Sequence, residues 1–236
     1  MTRRQLLAGL AAGALPNSRF SWVELDLLRG SKTVHWPDSS QAVSFGSLLK
    51  PFLALAFATT HSAFPVVVCH GTRDRCWLAR GHGEQQFQAA LANSCNCYFL
   101  HLAGLIDRAA LDAVCLRYGL TAPARSVGSD SLVGLGGEWR NTPLAVAEAF
   151  SRVTDQTVLR AMAQCAVTGT AKNLGLRCYA KTGTAPCSHT PRGMGDGFVV
   201  ALYPTEQPRQ IVLFGEHGTT GAEACRAVKR EIDFHS

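Results

Sequence analysis

The sequence predicts an α+β fold in which both chain ends share one antiparallel sheet and an all-helical lobe lies between them. Strand-like patterns are confined to residues 20–46 and 175–236, and helical patterns fill 47–174. Short turns at 29–32 and 204–208 join neighbouring strands as hairpins, which requires antiparallel pairing.

Residues 21–28 alternate apolar and polar side chains as a half-buried strand does. The turn at 29–32 leads to a second short strand at 33–36. Ser47 then opens an apolar helix rich in Ala, Leu and Phe that runs to about residue 59. Pro51 falls in its first turn, where a missing N–H costs little. Residues 60–86 carry no period and read as irregular. Helices follow at 87–92 and 95–105, and a third starts at the N-cap Asp107 and stops at Gly119. A Gly/Ser/Pro-rich connection covers 121–141. Thr142 as N-cap and Pro143 at the first helical position begin a helix to about residue 152. Another covers 156–167. The last third returns to strands at 177–182, 197–203 and 210–216, and an amphipathic helix at 220–232 closes the chain.

The chain has 236 residues, 47% hydrophobic and 17% charged, with a net charge of +6. That suits one globular domain of about residues 20–236. No basic run stands out, so a nucleic-acid partner is not expected. Arg3 and Arg4 precede an uncharged Ala/Leu/Gly stretch at 6–15, and Ala12-Gly-Ala14 offers small residues for cleavage. Residues 1–14 therefore read as a twin-arginine-like export signal, and the location as periplasmic or otherwise extracytoplasmic. About ten apolar residues are too few to span a bilayer, which needs roughly 20.

Nine cysteines are many for an exported chain, and an odd number leaves at least one free or paired between chains. Cys69 and Cys76 flank a Gly-containing turn and are the expected local bridge. Cys95 and Cys97 are too close in sequence to bridge each other easily. No C-x-x-C pair occurs and no cysteine–histidine spacing is finger-like, so neither a zinc site nor any other metal or cofactor is expected.

Three short words carry the chemistry: Ser47-Leu-Leu-Lys50, Ser94-Cys-Asn96 and Lys181-Thr-Gly-Thr184. They stand in the order of the S-x-x-K, S-x-N and K-T-G set of active-site serine enzymes. S-x-x-K or S-x-N alone is expected about once by chance in such a chain, whereas K-T-G-[ST] occurs in roughly one chain in a hundred. Ser47 and Lys50 lie three apart at a helix start, on one face, where backbone N–H groups favour developing negative charge. A serine hydroxyl needs a base. Lys50 can serve if burial and a second cation, Lys181, depress its pKa.

These words and their neighbours resemble the transpeptidase domain of penicillin-binding proteins, within the serine β-lactamase-like superfamily. The resemblance extends to Asn141-Thr-Pro-Leu144 and Thr168-Gly-Thr-Ala171 and covers the chain from about residue 20 onward. It implies a β-lactamase/transpeptidase-like fold with Ser47, Lys50, Ser94 and Lys181 as catalytic residues. Ser94 would pass a proton toward the leaving amine, and Asn96 would bind the substrate's amide. Thr182 and Thr184 would hold its carboxylate, and the small Gly183 would let its backbone approach. The N–H groups of Ser47 and Thr184 would form the oxyanion hole.

The implied activity is a D-alanyl-D-alanine transpeptidase or carboxypeptidase that is acylated by penicillins on Ser47. Its partners would be a peptidoglycan stem peptide or β-lactam, and another cell-wall enzyme. The alternatives are a class D-like serine β-lactamase, although Tyr118-Gly-Leu120 replaces the usual Tyr-Gly-Asn, and a non-catalytic β-lactam or muropeptide sensor. Elsewhere, His70, His82, His189 and His217 read as solvated or structural. Trp77 and Trp139 read as packing residues, Asp196-Gly-Phe198 as core, and Gly134-Leu-Gly-Gly137 as a plain loop.

Overall fold

The computed structural model describes residues 19–187, 195–232 and 234. The leader at 1–14 and His189 lie outside the described residues. Five strands form one antiparallel sheet in the order β2-β1-β9-β8-β7. They are β1 (Phe20–Asp26), β2 (Ser31–His35), β7 (Tyr179–Ala185), β8 (Asp196–Tyr203) and β9 (Gln210–His217). β1 pairs β9 from Phe20↔Glu216 to Asp26↔Gln210, so the two ends of the chain close the sheet. β8 and β9 are buried along almost their whole length because both faces are covered. The closing helix α8 (Gly221–Glu231) packs on one face, where Ala224, Ala227 and Val228 meet Val199, Ala201 and Phe214. The other face carries Val23, Val200 and Leu213 into the core shared with the helical lobe.

That lobe is built around α1 (Lys50–Thr60), flanked by α2 (Phe87–Ala92), α3 (Asn96–Leu105), α4 (Arg108–Tyr118), the single turn α5 (Ser129–Leu132), α6 (Pro143–Ser151) and α7 (Gln156–Val167). Phe52, Leu53, Ala54 and Ala56 of α1 are fully buried. Phe52 meets the rings of Tyr118 and Phe150, 5.3 and 5.0 Å away. Burying one such side chain contributes roughly 1.5–3 kcal/mol, so α1 is fixed by packing, with its first turn held toward the sheet.

The helix boundaries follow the capping signals. Asp107 accepts from the Ala109 N–H, and the left-handed Gly119 ends α4. Thr142 accepts from the Ala145 N–H ahead of Pro143. Asp155 accepts from the Thr157 and Val158 N–H groups. Thr220 and Glu223 form a reciprocal capping box.

Two segments depart from expectation. Residues 60–86 contain a hairpin of β4 (Val67–Cys69) and β5 (Gly83–Gln85) around a 3₁₀ turn, Gly71–Asp74. The connection 121–141 ends in β6 (Arg140–Asn141), which pairs β3 (Val43–Ser44) just before the first motif. No described helix is long and apolar enough to cross a membrane.

Candidate active site

Ser47 does not open an α-helix as expected. It lies in a 3₁₀ turn, Gly46–Leu49, and α1 begins at Lys50 with Pro51 in its first turn. Residues i and i+3 eclipse in a 3₁₀ turn, so Ser47 and Lys50 still share a face. The Ser47 peptide is clamped from two sides. A Cβ on Gly134 would fall 2.3 Å from the Ser47 nitrogen, and one on Gly46 would fall 2.2 Å from the Thr184 carbonyl oxygen. Both glycines have positive φ, +86° and +55°, which L side chains rarely adopt. Gly134, the first residue of the 134–137 loop, therefore backs the Ser47 turn. The Ser47 hydroxyl is half-buried and donates to the Val133 carbonyl at 3.3 Å.

The three motifs meet at two lysines with no solvent exposure. Lys50 Nζ donates to Asn96 Oδ1 at 2.6 Å and to the Ser94 carbonyl at 3.0 Å. Lys181 Nζ donates to Ser94 Oγ at 2.9 Å and to the Thr182 carbonyl at 2.7 Å. Burial holds Lys50 well below the ordinary lysine range, and the nearby Lys181 charge lowers it further. Burial alone brings Lys181 down to about 8. Neither Ser47 nor Ser94 caps a helix with its side chain. Ser94 instead adopts φ +53°, a strained conformation for a serine, which presents its hydroxyl to Lys181.

β7 is the edge strand of the sheet beside this centre. Thr182 shares a 2.5 Å hydrogen bond with Thr170 of the 168–171 segment. Thr184 Oγ1 accepts from the Gly221 N–H at 3.0 Å, so its own hydrogen is left for another acceptor. Gly183 also serves the fold: a Cβ there would fall 2.2 Å from the Phe45 carbonyl oxygen. The missing side chain lets β7 press against the Ser47 turn. Ser47, Ser94, Asn96, Thr182 and Thr184 line one cleft of about 470 Å³. Trp77 and Thr170 line it too. Trp77 is not a packing residue: it is 55% exposed, and its ring N–H donates to the Asn93 carbonyl. Trp139 is buried, and Phe198 lies against Phe45 in the core.

The expected Cys69–Cys76 bridge is absent; all nine thiols are free. The reason is local. β4 and the turn after it aim both sulfurs at His82 Nδ1, 3.7 and 3.4 Å away. Cys76 donates to the sulfur of Cys95, the middle residue of the second motif, at 3.8 Å. The ligand atoms of Cys69, Cys76, His82 and Cys95 all lie within 4.8 Å of one another. The sequence spacing gave no sign of this cluster, because its members are 7, 6 and 13 residues apart and only the hairpin and the start of α3 bring them together. His70 pairs with Asp74 and His217 with Asp196.

The chain has the fold of penicillin-binding-protein transpeptidase domains. It matches Pseudomonas aeruginosa PBP2, solved in complex with WCK 5153, with a TM-score of 0.73 at 17% identity over 93% of this chain and 72% of that one. Helicobacter pylori PBP2 matches with a TM-score of 0.71 at 15% identity over 89% of this chain and 58% of that one. Mycobacterium tuberculosis PBPA gives 0.71 at 15% identity over 89% and 74%. Another Helicobacter pylori structure of this fold is a complex of PBP2 with MreC. No protein-family model and no curated protein matches the sequence.

Proposed function

We propose that the chain is an exported serine acyltransferase acting on D-alanyl-D-alanine ends of peptidoglycan stem peptides, as a transpeptidase or carboxypeptidase that penicillins also acylate. The observation that carries this reading is the convergence of two fully buried lysines from different motifs on Ser94, beside Ser47 in one cleft. A neutral amine has two N–H donors and one lone pair. At Lys50 the Ser94 carbonyl and Asn96 Oδ1 take the donors, and the lone pair is left for the Ser47 proton. Ser47 Oγ then attacks the penultimate D-alanine carbonyl, and the oxyanion forms against the Ser47 and Thr184 N–H groups. As the tetrahedral centre collapses, the C–N bond breaks. The leaving amine takes a proton from the Ser94 hydroxyl, which regains one from Lys50. An amine or water then attacks the ester by the same route in reverse. Lys181 and the Thr184 hydroxyl attract the substrate's terminal carboxylate, which docks along the edge strand β7.

The partners of this reading are the stem peptide or a β-lactam, with a second cell-wall protein as a further partner, as MreC is for the Helicobacter protein. Export would rest on Arg3-Arg4. Replacing both with lysine should abolish extracytoplasmic accumulation by the twin-arginine route; unchanged accumulation would reject that route. The activity is tested by intact mass after incubation with a penicillin, together with release of D-alanine from an acyl-D-Ala-D-Ala peptide. A lasting adduct on Ser47 with D-alanine release is expected. Rapid loss of the adduct with hydrolysed penicillin would point to a β-lactamase, and a lasting adduct without D-alanine release to a sensor.

A further inference from the structure

We propose that Cys69, Cys76, His82 and Cys95 form a Cys₃His site for a thiophilic divalent metal of the zinc class, and that the bound metal holds the Ser94–Asn96 turn in place. The four ligand atoms lie within 4.8 Å of one another, close enough to share one metal ion. With Zn–S near 2.3 Å and Zn–N near 2.0–2.1 Å, tetrahedral coordination puts two sulfurs about 3.8 Å apart and a sulfur and a nitrogen about 3.6 Å apart. Three of the six separations are 3.8 Å for Cys76–Cys95, 3.4 Å for Cys76–His82 and 3.7 Å for Cys69–His82. Three sulfurs and one imidazole with no oxygen ligand select zinc over magnesium, calcium or manganese. Four protein ligands leave no open position, which marks a structural site rather than a catalytic one.

The surrounding chain needs such a centre. Between residues 70 and 84 only Gly71 and Cys76 are buried, so the hairpin loop has almost no apolar core of its own. It is folded tightly nevertheless: a Cβ on Gly71 would fall 1.9 Å from the Ala79 carbonyl oxygen, and one on Gly81 would fall 2.3 Å from that of Cys69. Metal bonds at both ends of the loop and at the start of α3 would supply the cohesion that burial does not. Binding would displace the thiol protons, leaving three thiolates on the metal.

The position of Cys95 links this centre to the cleft. Its neighbours are Ser94, which accepts from Lys181, and Asn96, which accepts from Lys50. Asn96 also donates to the Arg75 carbonyl in the loop at 3.5 Å. A metal bonded to the Cys95 sulfur would thus fix the backbone that carries both side chains. This second half rests on the reading of the cleft given above; the first half does not.

The test uses the full mature chain, purified under reducing conditions without chelator. Elemental analysis should find one zinc per chain. Cobalt(II), added after the zinc is stripped, should give the sulfur-to-cobalt charge-transfer band and intense visible bands of a tetrahedral thiolate site. Cys76→Ser should lower metal content at least ten-fold; if that variant does not fold, the cobalt spectrum of the unaltered chain decides alone. A chain purified without metal that also fails to bind added zinc, or the weak visible spectrum of six-coordinate cobalt, would overturn the site. For the second half, stripping the metal should speed hydrogen exchange at the 94–96 amides at least ten-fold, and zinc should reverse it. Unchanged exchange there would overturn the positioning role, whatever penicillin labelling shows about the proposed activity.

Discussion

At the scale of single residues, the proposed chemistry turns on the two buried lysines. Ser47→Ala should abolish labelling by a fluorescent penicillin while leaving the thermal transition in place. Lys50→Ala should slow labelling by about 10²–10⁴-fold, the usual worth of a positioned general base. The pH dependence follows from the direction of each shift. Lys50 acts as a base only when neutral, so labelling should rise as pH climbs through its lowered pKa. Lys181 attracts a carboxylate only when charged, so labelling should fall above its value of about 8. Removing the Lys181 charge relaxes the depression of Lys50. Lys181→Ala should therefore move the rising limb to higher pH, remove the falling limb and reduce the maximal rate. A stopped-flow pH profile that is unchanged in Lys181→Ala would break the link between the first and third motifs. These residues were legible in the sequence because they are spaced as words on adjacent positions. Trp77 was not, since a tryptophan beside a cysteine gives no sign of whether the chain turns it inward or into a cleft.

Among the elements, those with a local cause were the readable ones. Asp107 and Thr142 announce their helices because each side chain satisfies a backbone N–H group a few residues on, and Asp155 does the same for the helix at 156–167. Asp155→Ala should cost about 1 kcal/mol of stability, seen as a lower urea midpoint at an unchanged m-value. The hairpin β4–β5 gave no such sign: three residues per strand are too few for alternation, and what draws its ends together is sulfur and imidazole. The 3₁₀ start before α1 was hidden for a similar reason, because its cause is the close approach of β7 and residue 134 rather than anything in its own sequence. That cause can be tested. Gly134→Ala must move either its own backbone or the Ser47 peptide, so penicillin labelling should fall at least ten-fold. A wild-type labelling rate in Gly134→Ala would mean that this contact does not set the position of the nucleophile turn.

For the molecule as a whole, the pattern of strands at both ends and helices between was enough to place the termini in one sheet, because hairpin turns leave few other arrangements. The strand order itself, with β7 at the edge, depends on contacts that no local pattern records. Leu213, fully buried on β9, packs in the core shared with the helical lobe. Leu213→Ala should cost about 2–5 kcal/mol, and circular dichroism and penicillin labelling should be lost together on heating, since sheet and site share that core. The pairing of β1 with β9 also imposes a timetable. Val23 and its partner Leu213 are separated by 190 residues of chain. At a synthesis rate of roughly 5–20 residues per second, β1 waits some 10–40 seconds for its partner to be made. Its far edge has only the short β2 to cover it in that interval. If the sheet closes only once β9 has been made, Ser47, Ser94 and Lys181 reach their final places late in the life of the nascent chain.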